Sequence, residues 1–223
     1  MENGRLFRTL VVENEAVRDG HFEFGPKCHS RFLIDFGRIL QNPENTGILV
    51  SRLFGAYKDQ DVTKVLTPNS AEGYVLAQWV AARFNAKSFH AERRHGRVYL
   101  PEYSDIKRTE KILLIDDGIN TGNSMEQLLR LVREKGGNCV GIAVCVNRHM
   151  CENEGFMVPV YSVFRLSKTY PLTNLDEGDC DECLRLGQII RRLRTDVDGP
   201  ARNMLTKEKI GLELHSAYAD WRY

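Results

Sequence analysis

The sequence predicts an α/β protein: a parallel sheet flanked by helices, with an N-terminal hood and a C-terminal extension. Three observations predict it. Short apolar runs alternate with stretches of helical periodicity from residue 43 to residue 166. One run, Ile112-Leu113-Leu114-Ile115, is continuously aliphatic, as a strand covered on both faces must be. Polar loops follow the predicted strand ends, where open parallel sheets bind ligands. With 223 residues, 42% of them hydrophobic, the chain is long enough for one full core and an appendage. The expected division is 1–40 for an N-terminal helix and hood, 41–170 for the core, and 171–223 for an extension packed on the core or on a partner subunit.

The elements follow in order. Leu6, Leu10, Val11 and Val17 give residues 2–18 a rough helical face that Asp19-Gly20 should stop. His21 to Phe36 reads as a strand pair around Gly25-Pro26, its alternating aromatics packing a core. Pro43 to Tyr57 is predicted helical, with Ile48, Leu49, Leu53 and Ala56 inward. Val62–Leu66 is a strand, Thr67-Pro68-Asn69-Ser70 a turn, and Ala71–Phe84 a helix presenting Val75, Leu76, Trp79 and Val80. Strands are expected at 86–91, 139–146 and 158–166, whereas 92–110 has little periodicity.

The chemistry concentrates after Ile115. Asp116-Asp117 is followed by Gly118-Ile119-Asn120-Thr121-Gly122-Asn123-Ser124, and then by a helix with Met125, Leu128, Leu129 and Val132 on one face. Ser124 and Gln127 are spaced as a capping box, and Gly136-Gly137 as the stop. Free N–H groups at such a helix start favour an anion, and Gly122 lets it approach the main chain. Two carboxylates would repel a phosphate, so they suit hydroxyl donors or a divalent cation. Together these parts describe a sugar-phosphate site. A receiver-domain reading of the acid pair fails, because Val140–Val146 and Val160–Leu166 lead into Asn147-Arg148 and Ser167-Lys168 rather than into an acceptor aspartate.

Composition excludes other classes. Thirty-one Lys and Arg balance thirty Asp and Glu, so there is no global electrostatic case for nucleic acid. No apolar run reaches the roughly twenty residues of a membrane span, and residues 1–5 lack a signal peptide's apolar stretch. The expectation is a cytoplasmic protein whose six scattered cysteines stay reduced. Cys180 and Cys183 form a single Cys-x-x-Cys that lacks two further ligands, so two thiols are the preferred reading over zinc.

Ile112 to Ser124 resembles the phosphoribosyl-pyrophosphate (PRPP) motif of the type I phosphoribosyltransferases: apolar strand, two acids, an apolar pair, then Thr-Gly-x-Ser. His21-Phe22-Glu23-Phe24, His29-Ser30 and Asp35 resemble the hood of orotate phosphoribosyltransferases, Ala91-Glu92-Arg93 the start of their mobile loop, and Val146-Asn147-Arg148 their base-facing strand end. The resemblance implies the type I phosphoribosyltransferase fold and a homodimer sharing loops. The implied reaction joins PRPP to a nucleobase, orotate or a similar pyrimidine, with Mg²⁺ carried by PRPP near Asp116 and Asp117 rather than held directly by the protein. It implies that these acids hold the ribose hydroxyls and that Thr121, Gly122, Asn123 and Ser124 hold the 5-phosphate, with Gly118, Asn120 and Ser70 completing the PRPP site. Arg93, Arg94 and His95 would close over the diphosphate, and Lys27, Asn120 and Arg148 would meet the base. Departures fall at base contacts: Gly25-Pro26-Lys27-Cys28 stands where relatives have a Ser-Gly pair, and Asn120 replaces a threonine. A phosphoribosyltransferase for another base and a non-catalytic PRPP-sensing protein therefore remain as alternatives. On sequence alone, Arg148 reads equally as a surface arginine.

Overall fold

The computed structural model describes residues 2–24, 28–94, 97–148, 156–166 and 173–174. Among these, two compact units separate: residues up to Ile39 together with the strand at 173–174, and Leu40–Arg165.

The first unit opens with α1 (Glu2–Phe7) and a π-helical turn (Arg8–Val12) that buries Leu10, Val11 and Val12. Asp19-Gly20 does not stop the chain there. It lies inside β1 (Val17–Glu23), which pairs antiparallel with β2 (Cys28–Ile34). The register shifts between Asp19 and Phe22, so the glycine marks a bulge, the other common meaning of Gly in a strand. His21 and His29 are buried on this pair, with Nε2 and Nδ1 3.1 Å apart. A short helix, α2 (Phe36–Leu40), follows, and the late strand Thr173–Asn174 adds to the free edge of β2.

The second unit is the parallel sheet. Its strands are β3 (Lys64–Thr67), β4 (Lys87–His90), β7 (Lys111–Ile119), β8 (Asn138–Asn147) and β9 (Val160–Arg165), in the order β4-β3-β7-β8-β9. Every neighbouring pair is parallel. The continuous aliphatic run therefore forms the central strand. Ile112 and Leu114 pack with Met125, Leu128 and Val132 of α5 (Asn123–Glu134), and Leu113 and Ile115 point to the other face. There, α3 (Pro43–Tyr57) starts on an Asn42 cap and buries Thr46, Leu49, Val50, Leu53 and Tyr57. The inward face is thus rotated from the one expected, with Ala56 exposed. Tyr57 donates its hydroxyl to the carbonyls of Ile142 and Pro159, at 2.9 Å each, and burial pushes its pKa up to about 12. Gly141 admits that ring: a Cβ there would lie 2.3 Å from Tyr57 Cε1.

The second helix on this face, α4 (Ala71–Phe84), spans its predicted residues but turns a different side inward. Gly73, Leu76, Ala77, Val80 and Ala81 are buried, whereas Val75 and Trp79 are 37% and 44% exposed. The inner residues are small because α4 lies close on β3, β4 and β7. Residues 92–110 also differ from expectation: β5 (Glu92–Arg94) and β6 (Arg97–Tyr99) form an antiparallel hairpin. No described helix is long and apolar enough to cross a membrane.

Candidate active site

All the strands run in one direction, so their carboxyl ends share an edge, and the loops after β3, β7 and β8 leave from it. Asp116 and Asp117 lie near the carboxyl end of β7, where Asp116 pairs with Val144 and Gly118 with Val146. Gly118 is required by packing, since a Cβ there would come within 2.9 Å of Val146 Cγ1.

Asp116 is 8% exposed and is held by two donors. Ser70 gives its hydroxyl proton to Asp116 Oδ1 at 2.9 Å, and the Asp117 backbone N–H reaches the same oxygen at 3.0 Å. Ser70 also caps α4 by accepting the Gly73 N–H at 3.1 Å. One hydroxyl thus ties the first turn of α4 to the acid pair. Gly73 makes this approach possible, because a Cβ on it would lie 2.2 Å from Thr67 Oγ1, 2.4 Å from Ser70 Oγ and 3.1 Å from Asp116 Oδ1. Tyr74 braces the same loop through a hydrogen bond from its hydroxyl to Asn69.

The pair is electrostatically unfavourable without a ligand. Burial raises the pKa of Asp116, and the hydrogen bonds from Asp117 and Ser70 oppose that rise. Burial raises Asp117 well above the usual carboxylate range, and the neighbouring Asp116 charge adds to it. Glu72 contributes a third negative charge to both. Beneath them, the Cys145 thiol of β8 is pushed up by burial and by the same two carboxylates, so it stays protonated.

The loop turns into α5 at Gly122, which is left-handed (φ 82°) and buried. The helix starts at Asn123 on a Gly122 cap, so the expected Ser124–Gln127 capping box is not formed; Gln127 Nε2 donates instead to Asn123 Oδ1 at 2.9 Å. No side chain caps the helix. Its first-turn N–H groups are left for an anion, beside the exposed Thr121 and Asn123 and the half-buried Asn120 and Ser124. At the end of β8, Asn147 and Arg148 are 3% and 2% exposed, and the Arg148 N–H donates to Ile119 O at 2.9 Å. The surface-arginine reading is therefore corrected: Arg148 is buried.

The structure gathers Ser70, Asp116, Asp117, the 118–124 loop and Arg148 on one edge. The β5–β6 hairpin is rooted there too, with the Ala91 N–H on Thr67 O at 2.9 Å. Its arginines stand in solvent: Arg93 is exposed, and Arg94 pairs with Glu92 at 2.5 Å. His95, Lys27, Cys180 and Cys183 lie outside the described residues. Sequence reasoning placed Thr67 to Gly73 among the polar loops at strand ends, without an individual role for Thr67 or Gly73. A glycine in the first turn of an otherwise regular helix was the available signal.

A phosphoribosyl transferase domain family matches residues 46–166, more than half of the chain. This chain belongs to that family. The orotate phosphoribosyltransferase of Desulforamulus reducens is 31% identical over 140 residues, 62% of this chain and 72% of the relative. Among solved structures, the orotate phosphoribosyltransferase of Aeropyrum pernix aligns with a TM-score of 0.60 at 20% identity, covering 81% of this chain and 98% of that one. The adenine phosphoribosyltransferase of Rhodothermus marinus aligns at 0.57 and 24%, covering 73% and 99%. Both likenesses are of fold. The molecule is a type I phosphoribosyltransferase, a pentosyltransferase that uses PRPP.

Proposed function

We propose that this phosphoribosyltransferase transfers the phosphoribosyl group of PRPP to orotate or a similar pyrimidine, forming a nucleoside 5′-monophosphate and pyrophosphate. The observation that carries the choice of base is Arg148. A guanidinium buried at the binding edge suits a carboxylate-bearing ring better than a neutral purine, and the curated relatives are named for orotate. Asn120 and Lys27 would supply further donors to the base.

Asp116 and Asp117 would accept the ribose 2′- and 3′-hydroxyls, exchanging mutual repulsion for hydrogen bonds. As the diphosphate leaves, positive charge grows on the ribose and negative charge on the departing group. The fixed acid pair then stabilises the first, and Arg93, Arg94 and His95, brought over the diphosphate, the second. Thr121, Gly122, Asn123 and Ser124 would hold the 5-phosphate through the uncapped first turn of α5, and Gly118 and Ser70 complete the pocket. Described residues offer no group of three or more His, Cys, Asp or Glu, but two adjacent carboxylates fit a cation that arrives on its substrate. Mg²⁺ held by PRPP beside Asp116 and Asp117 would offset charge on the leaving diphosphate. The proposal includes a homodimer in which the 92–109 segment serves the neighbouring site. It also includes a cytoplasmic setting, supported by Cys139 and Cys145, which form no disulfide.

The test is pyrophosphate release from PRPP and Mg²⁺ with a panel of bases. Release with orotate and not with adenine supports the proposal. Release with adenine alone would move the assignment to a purine, and tight PRPP binding with no release on any base would make the chain a sensor. Arg148→Ala should raise the KM for orotate at least about tenfold with PRPP binding kept.

A further inference from the structure

Thr67 is the last residue of β3, 1% exposed, and its Oγ1 has no hydrogen-bond partner. Buried hydroxyls are rarely left so, and this one is in the binding edge rather than in the apolar core. Its surroundings are specific. The space that a Cβ of Gly73 would fill lies 2.2 Å from Thr67 Oγ1, 2.4 Å from Ser70 Oγ and 3.1 Å from Asp116 Oδ1, so three oxygens face one small opening kept clear by glycine. Ser70 gives its proton to Asp116 and uses one lone pair on the Gly73 N–H. A serine oxygen accepts twice, which leaves one lone pair for a further donor. Thr67 is the donor at hand.

We propose that Thr67 is a positioning residue whose hydroxyl, across the opening kept by Gly73, donates to Ser70 when substrate engages Asp116, completing a relay from Thr67 through Ser70 to that carboxylate. The inference rests on the reading of Asp116 as a ribose-hydroxyl acceptor and adds to it the device that orients the acid. Hydrogen bonds in series polarise one another, so a donor behind Ser70 strengthens the bond that aims Asp116. The free protein leaves the last link unmade, and substrate binding closes it. A purely structural Thr67 would favour valine equally well in its place, because the two are nearly isosteric and the hydroxyl is unpartnered.

Steady-state kinetics on Thr67→Val, Thr67→Ser, Ser70→Ala, the double variant Thr67→Val/Ser70→Ala and Asp116→Asn test this, with melting temperatures as the control for folding. The expected result is a KM for PRPP raised about fivefold in Thr67→Val, as for one lost hydrogen bond, with kcat within about twofold. Thr67→Ser should restore KM, and the double variant should be no worse than Ser70→Ala alone. An unchanged KM in Thr67→Val, or losses from Thr67→Val and Ser70→Ala that simply add, would overturn the relay. If Asp116→Asn itself leaves KM unchanged, the site reading falls and the relay with it; if it raises KM while Thr67→Val does not, only the relay falls.

Discussion

The two ends of the parallel sheet treat buried charge in opposite ways. At the amino end, Lys64 is 4% exposed, and its ammonium meets Glu110 Oε1 at 2.9 Å and Asp105 Oδ1 at 3.1 Å, and also the Asp105 carbonyl. The Phe89 ring lies 5.7 Å away on another side. The hydrogen bond and charge of Lys64 hold the Asp105 carboxyl below its ordinary range. At the carboxyl end, Asp116, Asp117 and Glu72 crowd like charges together, and both aspartates are raised. One end is satisfied as it stands, and the other leaves its like charges uncompensated. Ends of one sheet thus divide stability from function, the arrangement expected where a binding site is held in a geometry unfavourable to the free protein.

The difference can be broken from either end. Asp117→Asn should produce the largest effect: PRPP affinity falls by about a hundredfold or more in calorimetry, as two charged hydrogen-bond acceptors become one neutral amide. Lys64→Met should leave PRPP affinity within about twofold and destabilise the fold by about 1–2 kcal/mol in denaturant unfolding. The figure stays below the usual loss for a broken buried pair because water reaches the freed carboxylates, Asp105 above all. Tyr57→Phe, which frees the carbonyls of Ile142 and Pro159 on the face away from α5, should cost about 1 kcal/mol and leave KM unchanged.

The ends should also differ in pH dependence. Asp105 is depressed on folding, so its contribution is present above the ordinary carboxylate pKa and fades as pH falls through the lower folded value. Asp116 and Asp117 are raised, so their relative stabilisation is present below the ordinary value and is lost as pH climbs through the raised ones. Equilibrium unfolding across pH 4–9, the range about the ordinary carboxylate value and above, should therefore be flatter in Asp117→Asn than in the wild type.

Much of this was legible in the sequence, for identifiable reasons. The central strand could be read because burial on both faces leaves no polar alternation, and the acid pair because a strand end, a small-residue loop and a helix start coincide. The inward face of α4 could not be read by size. A helix held close to a sheet buries Gly73, Ala77 and Ala81 and leaves Trp79 outside. The β5–β6 hairpin is three residues a side and nearly all charged or exposed, so it carries no apolar period. Ser124 matched a cap by spacing, yet Gly122 took the position because the left-handed turn into α5 needs φ 82°. The Lys64 clasp was illegible for a simpler reason: its partners are 41 and 46 residues away.

The most direct test of the account is one thermal denaturation series at pH 8 on wild type and Asp117→Asn, each with and without PRPP and Mg²⁺. Free Asp117→Asn should melt above free wild type, because a repulsion is gone, and ligand should reverse the order by stabilising the wild type far more. An Asp117→Asn protein that melts below wild type when free, or that gains as much from PRPP, would contradict it.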